Sequence, residues 1–192
     1  VNVMSLAKDA KDELLRKYEA MRDAYRRYAG PTTEWAREQR AKGKADAPPE
    51  WLTQLAPPPG LPHEINDYLR GALAHLLQRN AEARAAWEAL LARPKDQRQK
   101  RSTWAAFMLA RSYDVEDAAR AATWYARVRE LAKEGFADAL GLASASLGAE
   151  ARVKLRRGEW AAAIELYVQH HKSGDPSASA SVRFAVRRAF AA

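Results

Sequence analysis

The feature that most constrains this chain is a residue triplet that recurs three times at one spacing. Ala83–Trp87–Leu90, Ala121–Tyr125–Val128 and Ala163–Tyr167–His170 each step by +4 and then +3. Steps of four and three keep residues on a single stripe of an α-helix. A small residue lets two helix backbones approach, and an aromatic one turn later fills the space between them. Each triplet therefore describes the inner face of a helix packed closely on a partner.

The partner helices precede the triplets. "YLRGALA" supplies Gly71 and Ala74, "FMLARSY" supplies Ala110 and Tyr113, and "SLGAEA" supplies Leu147, Gly148 and Ala151. Arg156-Arg157-Gly158-Glu159 reads as the tight turn of the third pair. Trp160, Ala163 and Tyr167 after it are expected to pack onto "GLASASLGAEARVKL". Helices are expected near 62–78, 81–92, 102–114, 116–134, 137–157, 159–172 and 177–192. Asn80, Ser102 and Asp175 are candidate N-caps, and Gly135 and Gly174 candidate C-terminal stops. No segment alternates as a strand would, so the fold class is all-α.

These paired helices resemble the tetratricopeptide repeat (TPR) family, whose units are helix–turn–helix hairpins of about 34 residues. The resemblance runs over roughly Leu61–Pro176, with a partial fourth unit after it, and Pro94 and Pro176 follow two of the pairs. Successive triplet alanines lie 38 and 42 residues apart, so turns or helices are longer here, and His170 stands where the family prefers a small residue. In style the chain is similar to divergent repeat proteins common in bacteria. The resemblance implies a TPR-like α-solenoid of antiparallel helix pairs over 62–192. Its last segment, Ser181–Ala192, reads as half of a pair. Phe184 and Phe190 on it suggest a continuing chain, self-association through this helix, or, as the favoured expectation, a fragment of a longer protein.

Before the array, residues 1–44 form an N-terminal helical segment. Leu14, Tyr18, Met21, Tyr25 and Tyr28 make one stripe, read as a packing face, and Gly30-Pro31 stops the helix. Thr32 or Thr33 can cap a second, charged helix through Trp35 that ends near Gly43. Residues 45–61 are a Pro-rich linker: six of the nine prolines fall within Ala45–Pro62, which leaves room for one short helix at Glu50–Ala56. Trp51 and Leu52 are the residues able to pin it.

Cysteine is absent, which removes disulfides, thiolate metal sites and cysteine nucleophiles together. No apolar run approaches the ~18 residues of a membrane span. Cytoplasm and periplasm both suit such a chain. The four histidines form no metal motif, and neither a glycine-rich phosphate loop nor a nucleophile elbow occurs. Asp114, Glu116 and Asp117 resemble a calcium loop only in charge. Glu150, Glu159 and Glu165 read as solvated carboxylates rather than acid–base partners. His170-His171 reads as a helix-end pair beside the negative dipole. The expectation is a protein that is not an enzyme and holds no cofactor or metal.

The net charge is +8, and the excess lies in 61–102 and 149–192. The densest run, "RPKDQRQKR" (Arg93–Arg101), can gather phosphates but reads first as a solvated loop. In the resembled family, ligands lie along the face lined by the first helices. Carried over by position, that face holds Tyr68, Ala72 and His75, then Trp104, Phe107 and Arg111, then Ala145 and Arg152. Arginines beside aromatics suit acidic groups or a C-terminal carboxylate on a peptide, although Trp104 and Phe107 also fit a plain core role. The leading expectation is a protein-interaction scaffold for a peptide or protein partner. The alternatives are a polyanion or nucleic-acid binder acting through basic patches, and the helical accessory portion of a larger enzyme such as a lytic transglycosylase.

Overall fold

The computed structural model describes residues 8–29 and 50–191. Among them are nine α-helices and no strand: α1 (Lys8–Ala29), α2 (Glu50–Thr53), α3 (His63–Leu76), α4 (Asn80–Leu91), α5 (Ser102–Tyr113), α6 (Ala118–Lys133), α7 (Leu142–Arg156), α8 (Trp160–Lys172) and α9 (Ala178–Phe190). A 3-10 turn, Lys95–Gln97, lies between α4 and α5. The chain is all-α. The Gly30-Pro31 stop, the helix expected through Trp35 and the Tyr28 side chain lie outside the described residues. The described residues divide into two compact units, the first within Val1–Ala86 and the second within Trp87–Ala192.

In the first unit the α1 stripe is the inward face. Leu14 and Met21 are buried, and Tyr18 and Tyr25 are half-buried. The Pro-rich segment is pinned by Leu52, which is 1% exposed, whereas Trp51 stands out into solvent. Gly60, at φ +94, turns this segment beside the Leu14 methyls. That backbone region costs a side chain with a Cβ about 1–2 kcal/mol.

In the second unit each helix from α5 onward packs on the next, and α5 also touches α7. Short turns make neighbours in this series antiparallel. The triplets of α6 and α8 lie on the packed faces of this series, and the triplet of α4 is buried as well. Eight of their nine residues are apolar, and all nine are buried, with seven at 0% exposure. Ala110 and Tyr113 of α5, Ala121 and Tyr125 of α6, and Ala149 and Val153 of α7 form one cluster. A second cluster joins Ala106, Val128, Leu131 and Phe136. Burying a side chain such as Leu131 completely contributes about 1.5–3 kcal/mol.

Helix ends show where local reading stopped short. α7 begins at Leu142, not near 137, because Asp138 accepts hydrogen bonds from the Leu142 and Ala143 amides at 2.6 and 3.0 Å. Asp117 caps α6 by accepting from the Arg120 amide at 3.0 Å. Ser102 does not cap α5. It is the first helical residue, and its hydroxyl donates to the Arg98 carbonyl at 2.7 Å. Asp175 does hold the start of α9, accepting from both the amide and the hydroxyl of Ser177. Gly135 and Gly174 close their helices at φ +88 and +98. The α7–α8 turn is the expected one: Gly158 sits at φ +73, and the Glu159 amide reaches back to the Lys154 carbonyl at 3.0 Å.

Candidate functional site

Two sequence-selected arginines converge in the second unit. Arg111, in the last turn of α5, and Arg152, on α7, are both exposed. Both exert a field on the Tyr125 phenol, which is buried and donates to Asp114 Oδ1 at 2.8 Å. Burial first, then that hydrogen bond, raises the Tyr125 pKa, while the two arginines oppose the rise. Among the described residues neither Arg111 nor Arg152 is committed to an ion pair.

Beside Arg152 opens a cleft of about 470 Å³ between α7 and α9. Its walls include Arg152, Leu155 and Arg156 from α7 and Ser181 and Phe184 from α9, with Tyr167 of α8 between them. Arg156 is fixed by donating to the Asp114 carbonyl at 3.0 Å. The same turn residue thus anchors Tyr125 by its carboxylate and Arg156 by its backbone. Burial raises the Tyr167 pKa, with Arg152 and Arg156 pulling against it. Tyr167 is therefore a neutral hydroxyl donor beside two cations, of which Arg156 is held in place. Phe184 is 55% exposed on the opposite wall. A carboxylate entering here would find two guanidinium groups, a phenol donor and an aromatic edge, an arrangement that favours an anion.

The other sequence-selected residues are placed differently. Tyr68, Ala72 and His75 belong to α3 in the first unit. Ala72 is buried, and the His75 ring nitrogen Nδ1 lies 3.3 Å from Asn80 Oδ1 across the α3–α4 turn. Trp104 is half-buried under the Arg101 guanidinium, 4.4 Å from its ring centroid. Phe107 packs against two core clusters and meets Tyr125 edge-on at 5.6 Å. Ala145 is half-buried near the start of α7. Sequence reading assigned Tyr167 only to the core and overlooked Arg156, Ser181 and Phe184 as wall residues. The signal for Arg156 was its one-turn offset from Arg152.

The basic run Arg93–Arg101 is largely exposed, as a solvated loop would be, but several of its cations are held by the chain itself. Lys95 donates to the Glu134 carbonyl at 2.9 Å and sits over the Phe136 ring, which Arg98 covers at 4.4 Å. Arg98 also donates to the Arg93 carbonyl and to the Ser102 hydroxyl. Burial, then Arg127 nearby, lowers the Arg98 pKa. Arg93, Lys100 and Arg101 have partners within the chain too. Contact with the Phe136 ring holds Lys95 and Arg98 over one aromatic face at the surface.

Glu150 and Glu159 also depart from the solvated reading. Glu150 is buried and accepts from Arg129 at 2.8 Å, across the α6–α7 contact. Glu159 is held by Lys154 and Arg157 in the α7–α8 turn. Among the described residues no group of three His, Asp or Glu is placed to hold a metal ion, and no helix is long and apolar enough to cross a membrane. No protein-family model matches the chain, and neither a curated protein nor a solved structure matches it.

Proposed function

We propose that this chain is a non-catalytic protein-interaction scaffold, a TPR-like solenoid that takes an acidic peptide segment of a partner in the groove between α7 and α9. The observation that carries this reading is the set Arg152, Arg156 and Tyr167 on one groove, with Arg111 and Arg152 both acting on the Tyr125 phenol and no ion pair spending either. The stepwise packing of α5 to α9, with α5 touching α7, supports a solenoid arrangement. A free C-terminal carboxylate fits best, because a guanidinium fork binds a carboxylate through two parallel hydrogen bonds.

The test is selection from a peptide library with free C-termini, followed by affinity measurement for the selected peptide and its C-terminal amide. Acidic peptides should be enriched, and Arg111→Glu with Arg152→Glu should weaken them about 30-fold or more, as loss of a charge-assisted contact does. Circular dichroism should remain that of the wild type. Enrichment without acidic preference, or affinity indifferent to the paired change, rejects the reading.

A further inference from the structure

Asp114 follows the last residue of α5 and opens the turn into α6. The tip of that turn projects into solvent, with Val115 92% exposed. Two backbone hydrogen bonds shape it. The Asp114 amide donates to the Arg111 carbonyl at 3.3 Å, and the Asp117 amide donates to the Tyr113 carbonyl at 2.8 Å. Neither uses the Asp114 carbonyl. That oxygen accepts instead from Arg156 Nη2 at 3.0 Å, from the end of α7.

The Asp114 side chain is tied to the core. Its Oδ1 accepts from the Tyr125 hydroxyl at 2.8 Å, from the middle of α6. The Tyr125 ring is fully buried in a cluster with Ala110, Tyr113, Ala149 and Val153, and meets Phe107 edge-on. A ring packed this closely by α5 and α7 has little freedom, so its hydroxyl is a rigid post. Burial first and the Asp114 bond second keep the phenol protonated, so it stays a donor through the neutral pH range. The contacts thus run outward without a break, from buried phenol to half-buried carboxylate, backbone carbonyl and exposed guanidinium.

We propose that Tyr125 and Asp114 are positioning residues for the groove, holding the Arg156 guanidinium where a ligand carboxylate meets it. On the acidic-peptide reading, on which this inference rests, they add to the site two residues that line no part of the groove. An exposed arginine samples many rotamers, and a ligand that must order one binds less tightly. Arg156 is ordered in advance, and its bond through Nη2 leaves the other guanidinium hydrogens to a carboxylate. Arg152, with no ion pair among the described residues, has no such anchor.

Arginine-selective NMR reads the Arg156 guanidinium without any ligand, its signal assigned by its loss in Arg156→Lys. Rotation about the Nε–Cζ bond should become about five-fold faster in Tyr125→Phe, as loss of one hydrogen bond allows. Asp114→Ala removes the same bond from outside the core and should act alike, which keeps the test intact if Tyr125→Phe does not fold. Asp114→Asn keeps an Oδ1 acceptor and should retain the wild-type rotation, a rescue that a mere loss of charge would not give. The binding probe is acetyl-tetraglutamate with a free C-terminus. Its affinity should fall about five-fold in Tyr125→Phe, and the change should have no effect once Arg156→Ala is present. Unchanged Arg156 rotation in both Tyr125→Phe and Asp114→Ala overturns the proposal, as does equal weakening by Tyr125→Phe with and without Arg156. No tetraglutamate binding, or binding indifferent to Arg152→Glu, while Arg156 still responds to Tyr125→Phe, is a different signature. It overturns the acidic-peptide reading, and the positioning role with it.

Discussion

Gly148 on α7 lies directly against the imidazole of His170 on α8. A Cβ built on Gly148 would stand 2.8 Å from Nδ1 and 2.9 Å from Cε1. His170 is only 8% exposed, and its Nε2 comes within 3.1 Å of Asp175 Oδ2 without the alignment of a hydrogen bond. The large residue at the third triplet's last position is thus accommodated by the absence of a side chain across the interface. His170 and His171 lie in the last turn of α8, as the helix-end reading has them, and the contact with Gly148 is an additional constraint on His170.

Gly148→Ala is accordingly expected to destabilise the protein by about 1–3 kcal/mol, the usual range for overpacking. With His170→Ala already present, the same change should stabilise by up to about 1 kcal/mol, because alanine is the better helix former. Urea denaturation of the four proteins in the cycle checks this. An equal effect of Gly148→Ala in both backgrounds would show that the two residues do not compete for space.

Ala163 gives a second packing test. It is fully buried at the α7–α8 contact, where a larger side chain forces the helices apart. Ala163→Leu should cost about 1–3 kcal/mol, read as a lowered melting temperature. A melt identical to the wild type would place Ala163 away from that contact.

The α7–α8 turn gives a pH signature. Hydrogen bonds from Lys154 first and Arg157 second, at 2.7 and 2.6 Å, hold the Glu159 carboxyl below its ordinary 4.5. A depressed folded value means stability that is present above 4.5 and is lost as pH falls through the lower folded value. Glu159→Gln should therefore lower the urea midpoint near neutral pH. The gap from wild type should close as pH drops well below 4.5. A gap of constant size across that range would mean that the carboxylate's charge contributes nothing to the turn.

The α-helices were legible because their signal is local. Burial of Ala121, Tyr125 and Val128 follows from a period of 3.6 residues and needs no knowledge of the partner helix. The glycine stops at 135, 158 and 174 were equally local, since positive φ favours glycine wherever the helix lies. Caps were harder. Asp138 acts four residues before the first amide it binds, and a charged residue in a turn gives no sequence sign of which amide it will meet.

What the sequence determined by itself was the all-α class, the helical stripes and the turn at Gly158. Tertiary structure alone decided that Gly148 makes room for His170, that Phe136 gathers Lys95 and Arg98, and that Arg129 meets Glu150. It also decided that Arg152 and Arg156 share a groove with Phe184, while the Trp160 indole lies beside Gly158. The physical reason is the range over which each choice is made. Helix formation and stripe burial are set by neighbours three and four positions away. The fate of a cation or a ring is set by whatever surface a distant helix brings within a few ångströms, and by whether that surface excludes water or leaves it in place.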